Sequence, residues 1–254
     1  MNGNFLEELD GIEVLEDLEV LYLSLNHLNE INNLSELRNL KELHLDDNGI
    51  QRIRGLNNLT NLEILSLAYN SIKTIDNLDS LRNLESLDLS YNDIDRIGGL
   101  NNLDNLTQLD LSVNNISKIK GLRNLKKLTF LDLESNLITK IDNLEELKKL
   151  EYLILSYNNI KKIENLDTLN RLKELILSHN KIERIENLEN LGNLERLSLN
   201  SNDIRNISGL SNLNNIKKMD LADNPFESEE ENYLIHSEAP PKAIIHYCRR
   251  CKRS

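Results

Sequence analysis

The chain has 254 residues, with 30 Lys plus Arg against 42 Asp plus Glu, a formal charge of −12. That balance argues against nucleic acid as the main ligand, because duplex binding draws on a basic footprint, and it points to partners with basic surfaces. No run of about 18 apolar residues occurs, so no membrane-spanning helix is predicted.

In chain order, residues 1–18 keep apolar positions at Leu6, Leu9, Ile12, Leu15 and Leu18. They lack a Leu-x-Leu pair, and this reads as a degenerate N-terminal capping repeat. A helical turn fits it, with Glu7, Glu8 and Asp10 facing water. The opening MNGNFLEELDG has neither a basic n-region nor an apolar h-region, so no secretory signal is expected. A cytoplasmic location follows, with the nucleus as an alternative.

Residues 19–226 carry a repeat. An asparagine returns every 22 residues at Asn26, Asn48, Asn70, Asn92, Asn114, Asn136, Asn158, Asn180, Asn202 and Asn224. Leucine, or Met219 in the last unit, precedes each by five and three places. Ile or another apolar residue follows at two and five, then leucines at eight, eleven and fourteen. Units this short cannot bury their own apolar positions, so they must stack into one solenoid. Leu-x-Leu predicts a short strand with both leucines inward. The three-residue step beyond the Asn suits 3₁₀, polyproline-like or extended outer turns better than an α-helix. The Asn itself lies where the chain leaves the strand, and its amide can satisfy backbone groups that the sheet leaves unpaired.

Residues 227–254 abandon the period and read as a C-terminal cap and basic tail. Cys248, Cys251, His236 and His246 are of zinc-ligand type, but their spacing is irregular and no metal is expected. Arg249, Arg250, Lys252 and Arg253 form a short basic end, readable as a nuclear signal or as a solubilising terminus.

The pattern Leu-x-x-Leu-x-Leu-x-x-Asn-x-Ile-x-x-Ile-x-x-Leu-x-x-Leu resembles the 22-residue class of leucine-rich repeats from Leu6 to Phe226. Within that class it is most similar to the leucine-rich regulatory subunit of protein phosphatase 1. The resemblance implies an α/β-type repeat solenoid: a curved horseshoe with a parallel inner sheet of about ten strands and 3₁₀ or extended outer turns. Asn224-Pro225-Phe226 with Tyr233 is similar to the C-terminal cap of intracellular members, whereas Ala239-Pro240-Pro241 departs from it.

Stacking leaves free the positions seven, six, four, two and one before each Asn, which point out of the concave face. All six aromatics away from the ends fall there: Tyr22, Tyr69, Tyr91, Phe130, Tyr152 and Tyr157. Strand preference explains part of this, yet the outer turns hold none, and exposed aromatics on a rigid face are typical interface anchors. The densest group is Phe130, Tyr152, Ile154, Tyr157, Ile176 and His179. Beside it Asp88, Asp110 and Asp132 occupy one position on consecutive rungs, with Glu134 near. Neighbouring carboxylates about 5 Å apart repel by roughly 0.8 kcal/mol even in water. The row reads either as a docking stripe for Lys or Arg, less readily as a cation site, or as a solvated acidic face. The Lys and Arg of the outer turns, such as Lys118, Lys140 and Lys162, read as a solvated surface.

No nucleophile motif, phosphate loop or clustered histidine appears, so neither an enzyme nor a cofactor is expected. The chain reads as a monomeric protein–protein interaction scaffold. The resemblance implies a serine/threonine phosphatase catalytic subunit as one partner; another protein with a basic and apolar surface is the general case. Two alternatives stay open: a structural cytoskeletal or ciliary component, and a secreted adhesin or effector resembling the internalins.

Overall fold

The computed structural model describes residues 1–237 and 239–251; Lys252 and Arg253 of the basic tail lie outside them. Ten three-residue strands form one parallel sheet in strict chain order. They are β1 Val20–Tyr22, β2 Glu42–His44, β3 Ile64–Ser66, β4 Ser86–Asp88, β5 Gln108–Asp110, β6 Phe130–Asp132, β7 Tyr152–Ile154, β8 Glu174–Ile176, β9 Arg196–Ser198 and β10 Lys218–Asp220. Equivalent residues pair throughout, as in Leu109 with Leu131 and Leu131 with Leu153. The sheet is therefore about 45 Å long at the usual strand spacing.

Both leucines of each Leu-x-Leu face the core, the first at the strand centre and the second just beyond it. Beyond the Asn, the leucines of the outer turn are linked three residues apart: Leu147 N–H donates to Leu144 O at 3.0 Å and Leu150 N–H to Leu147 O at 2.9 Å. That is 3₁₀-type bonding without a sustained helix. Among the described residues, 3₁₀ helices proper occur at Ile12–Val14 and Leu210–Asn212.

The ladder Asn explains how the rungs lock. Asn114 accepts from Ile94 N–H of the preceding rung at 2.9 Å. Its amide donates to Leu89 O at 3.0 Å and, within its own rung, to Leu111 O at 3.2 Å and Ser112 O at 3.1 Å. Every ladder Asn from Asn26 to Asn224 repeats this set. Burial without pairing would be costly, so a neutral amide with three donated bonds and one accepted bond suits this interior position.

A second column, seven residues after each of the first nine ladder Asn, holds only Gly or Asn, all at positive φ. Asn77, Asn143, Asn165 and Asn187 donate to a carbonyl of the preceding rung, for example Asn143 to Ile119 O at 2.8 Å. At Gly209, φ is 105° and a Cβ would lie 2.0 Å from Ile185 O. That close approach excludes a side chain there.

The ends are closed differently. Residues 1–18 run beside β1, with Leu9 and Ile12 buried and Glu7, Glu8 and Asp10 exposed. Residues 227–251 carry two helices, α1 Glu229–His236 and α2 Pro241–Cys251. Ser228 caps α1 by accepting from Glu231 N–H, and three glutamates fill its first turn, where the helix dipole favours them. The Ala239-Pro240-Pro241 stretch that departs from the cap pattern starts α2, because a proline suits the first position of a helix. Ile244, Ile245 and Cys248 of α2 are buried against the last rungs. Cys248 Sγ donates to Ile207 O at 3.1 Å and Arg249 Nε to Ser211 O at 2.9 Å.

Candidate functional site

The inner face of the sheet is a grid whose columns are fixed repeat positions and whose rows are rungs. Four residues before the ladder Asn sits the column that reads Ser66, Asp88, Asp110, Asp132, Ile154, Ile176 and Ser198 on consecutive strands, each registered with the next. The acidic row therefore runs directly into two isoleucines. All five of these charged and apolar side chains are half-buried.

The aspartates also have a local task that the sequence alone does not suggest. Asp88 Oδ1 accepts from Ser90 N–H at 2.9 Å, Asp110 Oδ1 from Ser112 N–H at 2.8 Å, and Asp132 Oδ1 from Glu134 N–H at 2.8 Å. Each closes an Asx turn over a backbone donor for which the ladder has no partner. Mutual repulsion alone therefore does not mark the row as functional: one oxygen of each carboxylate serves the turn and the other is left to the face. Burial pushes the Asp88 carboxyl above its ordinary range, against the hydrogen bonds from Ser90. Burial also raises Asp132 to about 7, helped by Asp110, Glu134 and Asp88 and opposed by the bond from Glu134 N–H. A half-buried carboxylate row with few countercharges is poised to gain from an incoming cation.

Every aromatic of this face is paired with a ring on the adjacent rung. Tyr69 and Tyr91 stack at 3.9 Å between centroids and 13° between planes. Tyr157 and His179 stack at 4.1 Å and 10°. Phe130 and Tyr152 are tilted at 6.4 Å and 43°, and Tyr22 stacks on His44 at 4.6 Å. Tyr69, Tyr91 and Tyr157 are exposed by 52, 44 and 52 per cent, so stacking does not hide them from a partner. The stack raises the Tyr69 hydroxyl, first through its hydrogen bond with Tyr91 and then through burial.

Tyr69, Tyr91, Tyr157 and His179 occupy the place just before the ladder Asn, where all ten rungs have φ between 52° and 60°. The structure thus separates the predicted residues into two bands. One holds Asp88, Asp110, Asp132 and Glu134 with Ile154, Ile176, Phe130 and Tyr152. The other is a rim of paired rings at its two ends. The pairing was readable from Tyr69/Tyr91 and Tyr157/His179 recurring 22 residues apart. The positive φ beneath them was not.

Among the described residues no three His, Cys, Asp or Glu side chains are placed to hold a metal ion. The zinc-type set of the tail is taken apart by the fold: Cys248 faces the core, Cys251 is exposed, and His236 Nδ1 lies 2.8 Å from Asn232 O. Likewise, no helix of the described residues is long and apolar enough to cross a membrane.

Comparison with known proteins agrees with this architecture. Residues 38–94 match the leucine rich repeat model, and residues 82–124, 104–146 and 148–190 match the model for two copies of the repeat. No curated protein sequence matches the chain. Among solved structures, the internalin InlF of Listeria monocytogenes is 30% identical with a TM-score of 0.85, over 90% of this chain and 68% of that one. Internalin C2 of the same organism is 28% identical with a TM-score of 0.63, over 83% and 84%. The plant peptide hormone receptor RGFR1, solved in complex with RGF2, is 27% identical with a TM-score of 0.69, over 84% of this chain and 37% of the receptor. Nothing in these matches indicates enzymatic activity, and the fold is one typical of protein-binding scaffolds. By repeat, by register and by these matches, the chain belongs to the leucine-rich-repeat family.

Proposed function

We propose that the chain is a non-catalytic, monomeric adaptor that docks a folded protein on its concave face. The partner would present Lys or Arg to the free oxygens of Asp88, Asp110 and Asp132, and apolar side chains to Ile154, Ile176 and the Phe130–Tyr152 pair. The carrying observation is the segregation itself: every aromatic away from the ends lies on this face, paired across rungs, around one acidic row. Rigid aromatics beside half-desolvated charge make strong anchors.

Within this reading, a serine/threonine phosphatase catalytic subunit in the cytoplasm or nucleus is one candidate partner. Capture of that subunit by the wild type, and its loss in an Asp110→Lys/Phe130→Ala variant, is the expected result. Capture that survives the double substitution would overturn the assignment of the face.

A second reading, an internalin-like adhesin or effector, is favoured by the 30% identity with InlF over most of both chains. It keeps the concave face and changes the partner to a protein of a host surface or cytosol. Export of the protein by its source cells would separate it from the first reading; retention in the cell would count against it.

A further inference from the structure

The central loops that leave the strands, one to six residues after the ladder Asn, carry a charge pattern opposite to that of the concave face. The fourth place after the Asn is basic on five consecutive rungs, at Arg96, Lys118, Lys140, Lys162 and Arg184, all exposed. At the strand spacing this row is roughly 20 Å long. The fold does not require a cation there, since the same place holds Glu30, Thr74 and Asn206 on other rungs. Among the described residues, Lys140 alone of the five meets a carboxylate, Asp142 at 3.6 Å, in a pair exposed to solvent. The three central loops, 115–120, 137–142 and 159–164, hold five Lys against two carboxylates in a chain whose net charge is −12.

A second observation falls in the middle of this row. The residue directly after the ladder Asn is polar, Gly or Pro on every rung but one, and the exception is Leu137, exposed by 50 per cent. Its packing gives no reason for a leucine. Its N–H donates to Ile116 O at 2.9 Å, just as Asn115 and Asn159 donate on the flanking rungs. An exposed aliphatic side chain on the central rung of a basic row suits an anchor inside a charged rim.

We propose that this flank is a second docking surface, for an acidic protein segment that sets one apolar side chain on Leu137 and carboxylates on Lys118, Lys140 and Lys162. A protein segment is favoured over a sulfated polysaccharide or a nucleic acid. A polysaccharide has no use for Leu137, and a nucleic acid finds no aromatic on the three central loops for its bases to stack on. The scaffold would then hold two partners of opposite charge on adjoining faces, independently of what occupies the concave side.

The test uses the full chain and a labelled synthetic peptide of Glu-Glu-Leu repeats, with a Glu-Glu-Ser version and heparin as controls, in a titration at low and at physiological salt. Tighter binding of the Leu peptide by about tenfold is expected, a gap of about 1.4 kcal/mol. Leu137→Ser should erase that gap. Lys118→Glu/Lys162→Glu should weaken both peptides about tenfold or more. Lys118→Gln/Lys162→Gln replaces the reversal if the latter lowers the melting temperature. Heparin binding as tightly as the Leu peptide, indifference to Leu137→Ser, or absence of peptide binding would each overturn the proposal.

Discussion

Two polar columns, an Asn ladder on all ten rungs and an aspartate row on three, are used in opposite ways. The ladder Asn is buried and neutral, and both ends of its amide are engaged by backbone, as at Asn136 with Ile116 N–H, Leu111 O, Leu133 O and Glu134 O. The aspartates of the inner face are half-buried and charged, and each commits one oxygen to a turn. A polar group fully engaged by backbone can only hold the fold. One that is half engaged holds a turn and still has something to offer a partner.

Exchanging the two chemistries is the sharpest way to break this contrast. In Asn136→Asp, one oxygen still accepts from Ile116 N–H, but the other faces three carbonyls with no proton to give. A buried, unpaired charge costs about 3–5 kcal/mol, so denaturant unfolding at neutral pH should show a loss of that order. Asn136→Ala should cost less, about 1–3 kcal/mol. Leu111 O and Leu133 O keep bonds from Asn114 and Asn158, and Glu134 O keeps that from Val113 N–H, so Ile116 N–H is the group left stranded. Equal losses for the two substitutions would mean that the ladder tolerates charge and that the contrast is false.

The second prediction concerns pH. The folded chain holds the Asp132 proton up to about 7, against an ordinary value of 3.8. Between those values the native state binds a proton that the unfolded state has released, so stability falls as pH rises through this window. Below it both states are protonated and the penalty vanishes. Asp132→Asn keeps an oxygen for Glu134 N–H and removes the charge. It should therefore raise the melting temperature at pH 8 by the equivalent of roughly 1–3 kcal/mol, after discounting for partial exposure, and leave it nearly unchanged at pH 4. A gain that is the same at both pH values would show that Asp132 is not held protonated by the fold.

A smaller stability effect is expected at Asp110, where the functional reading should show instead. Asp110→Asn retains an acceptor for Ser112 N–H and Oγ, so unfolding should change by about 0.5 kcal/mol or less. Partner capture should nevertheless weaken, because the charge offered to the face is gone. Unchanged capture would reduce the aspartate row to turn chemistry.

The architecture was legible because the period of 22 assigns every Leu, Ile and ladder Asn to a place before any contact is known. What stayed hidden has a physical reason in each case. The Asx turns of Asp88, Asp110 and Asp132 depend on which backbone donors the ladder leaves over, which becomes visible only with the hydrogen bonds in place. The column of Gly and Asn at Gly99, Gly121, Asn143 and Asn165 was present in the sequence, but its meaning is a positive φ, a property of the path and not of the pattern. The cap helices begin at Ser228 and Pro241, where local capping signals compete with the end of a long repeat.

The smallest predicted effect bears on how the rim of rings is supported. The residue before each ladder Asn turns left-handed on all ten rungs, and one of the ten is Val113, with φ of 52°. A β-branched side chain is the least suited to that conformation, whereas Asn tolerates it through local hydrogen bonding. Val113→Asn should therefore stabilise the fold by about 1 kcal/mol or less without touching partner capture. Tyr91→Asn puts the same residue one rung earlier and gains a smaller backbone relief, because Tyr is not β-branched, but it loses the ring that stacks on Tyr69. If the rim is an interface, Tyr91→Asn should leave stability within about 1 kcal/mol, relief and lost stacking opposing each other, while weakening capture, and Val113→Asn should raise stability alone. Were both variants to leave capture intact, the tyrosines would be ordinary occupants of a strained turn, and the docking surface would shrink to the central band between Phe130 and Ile176.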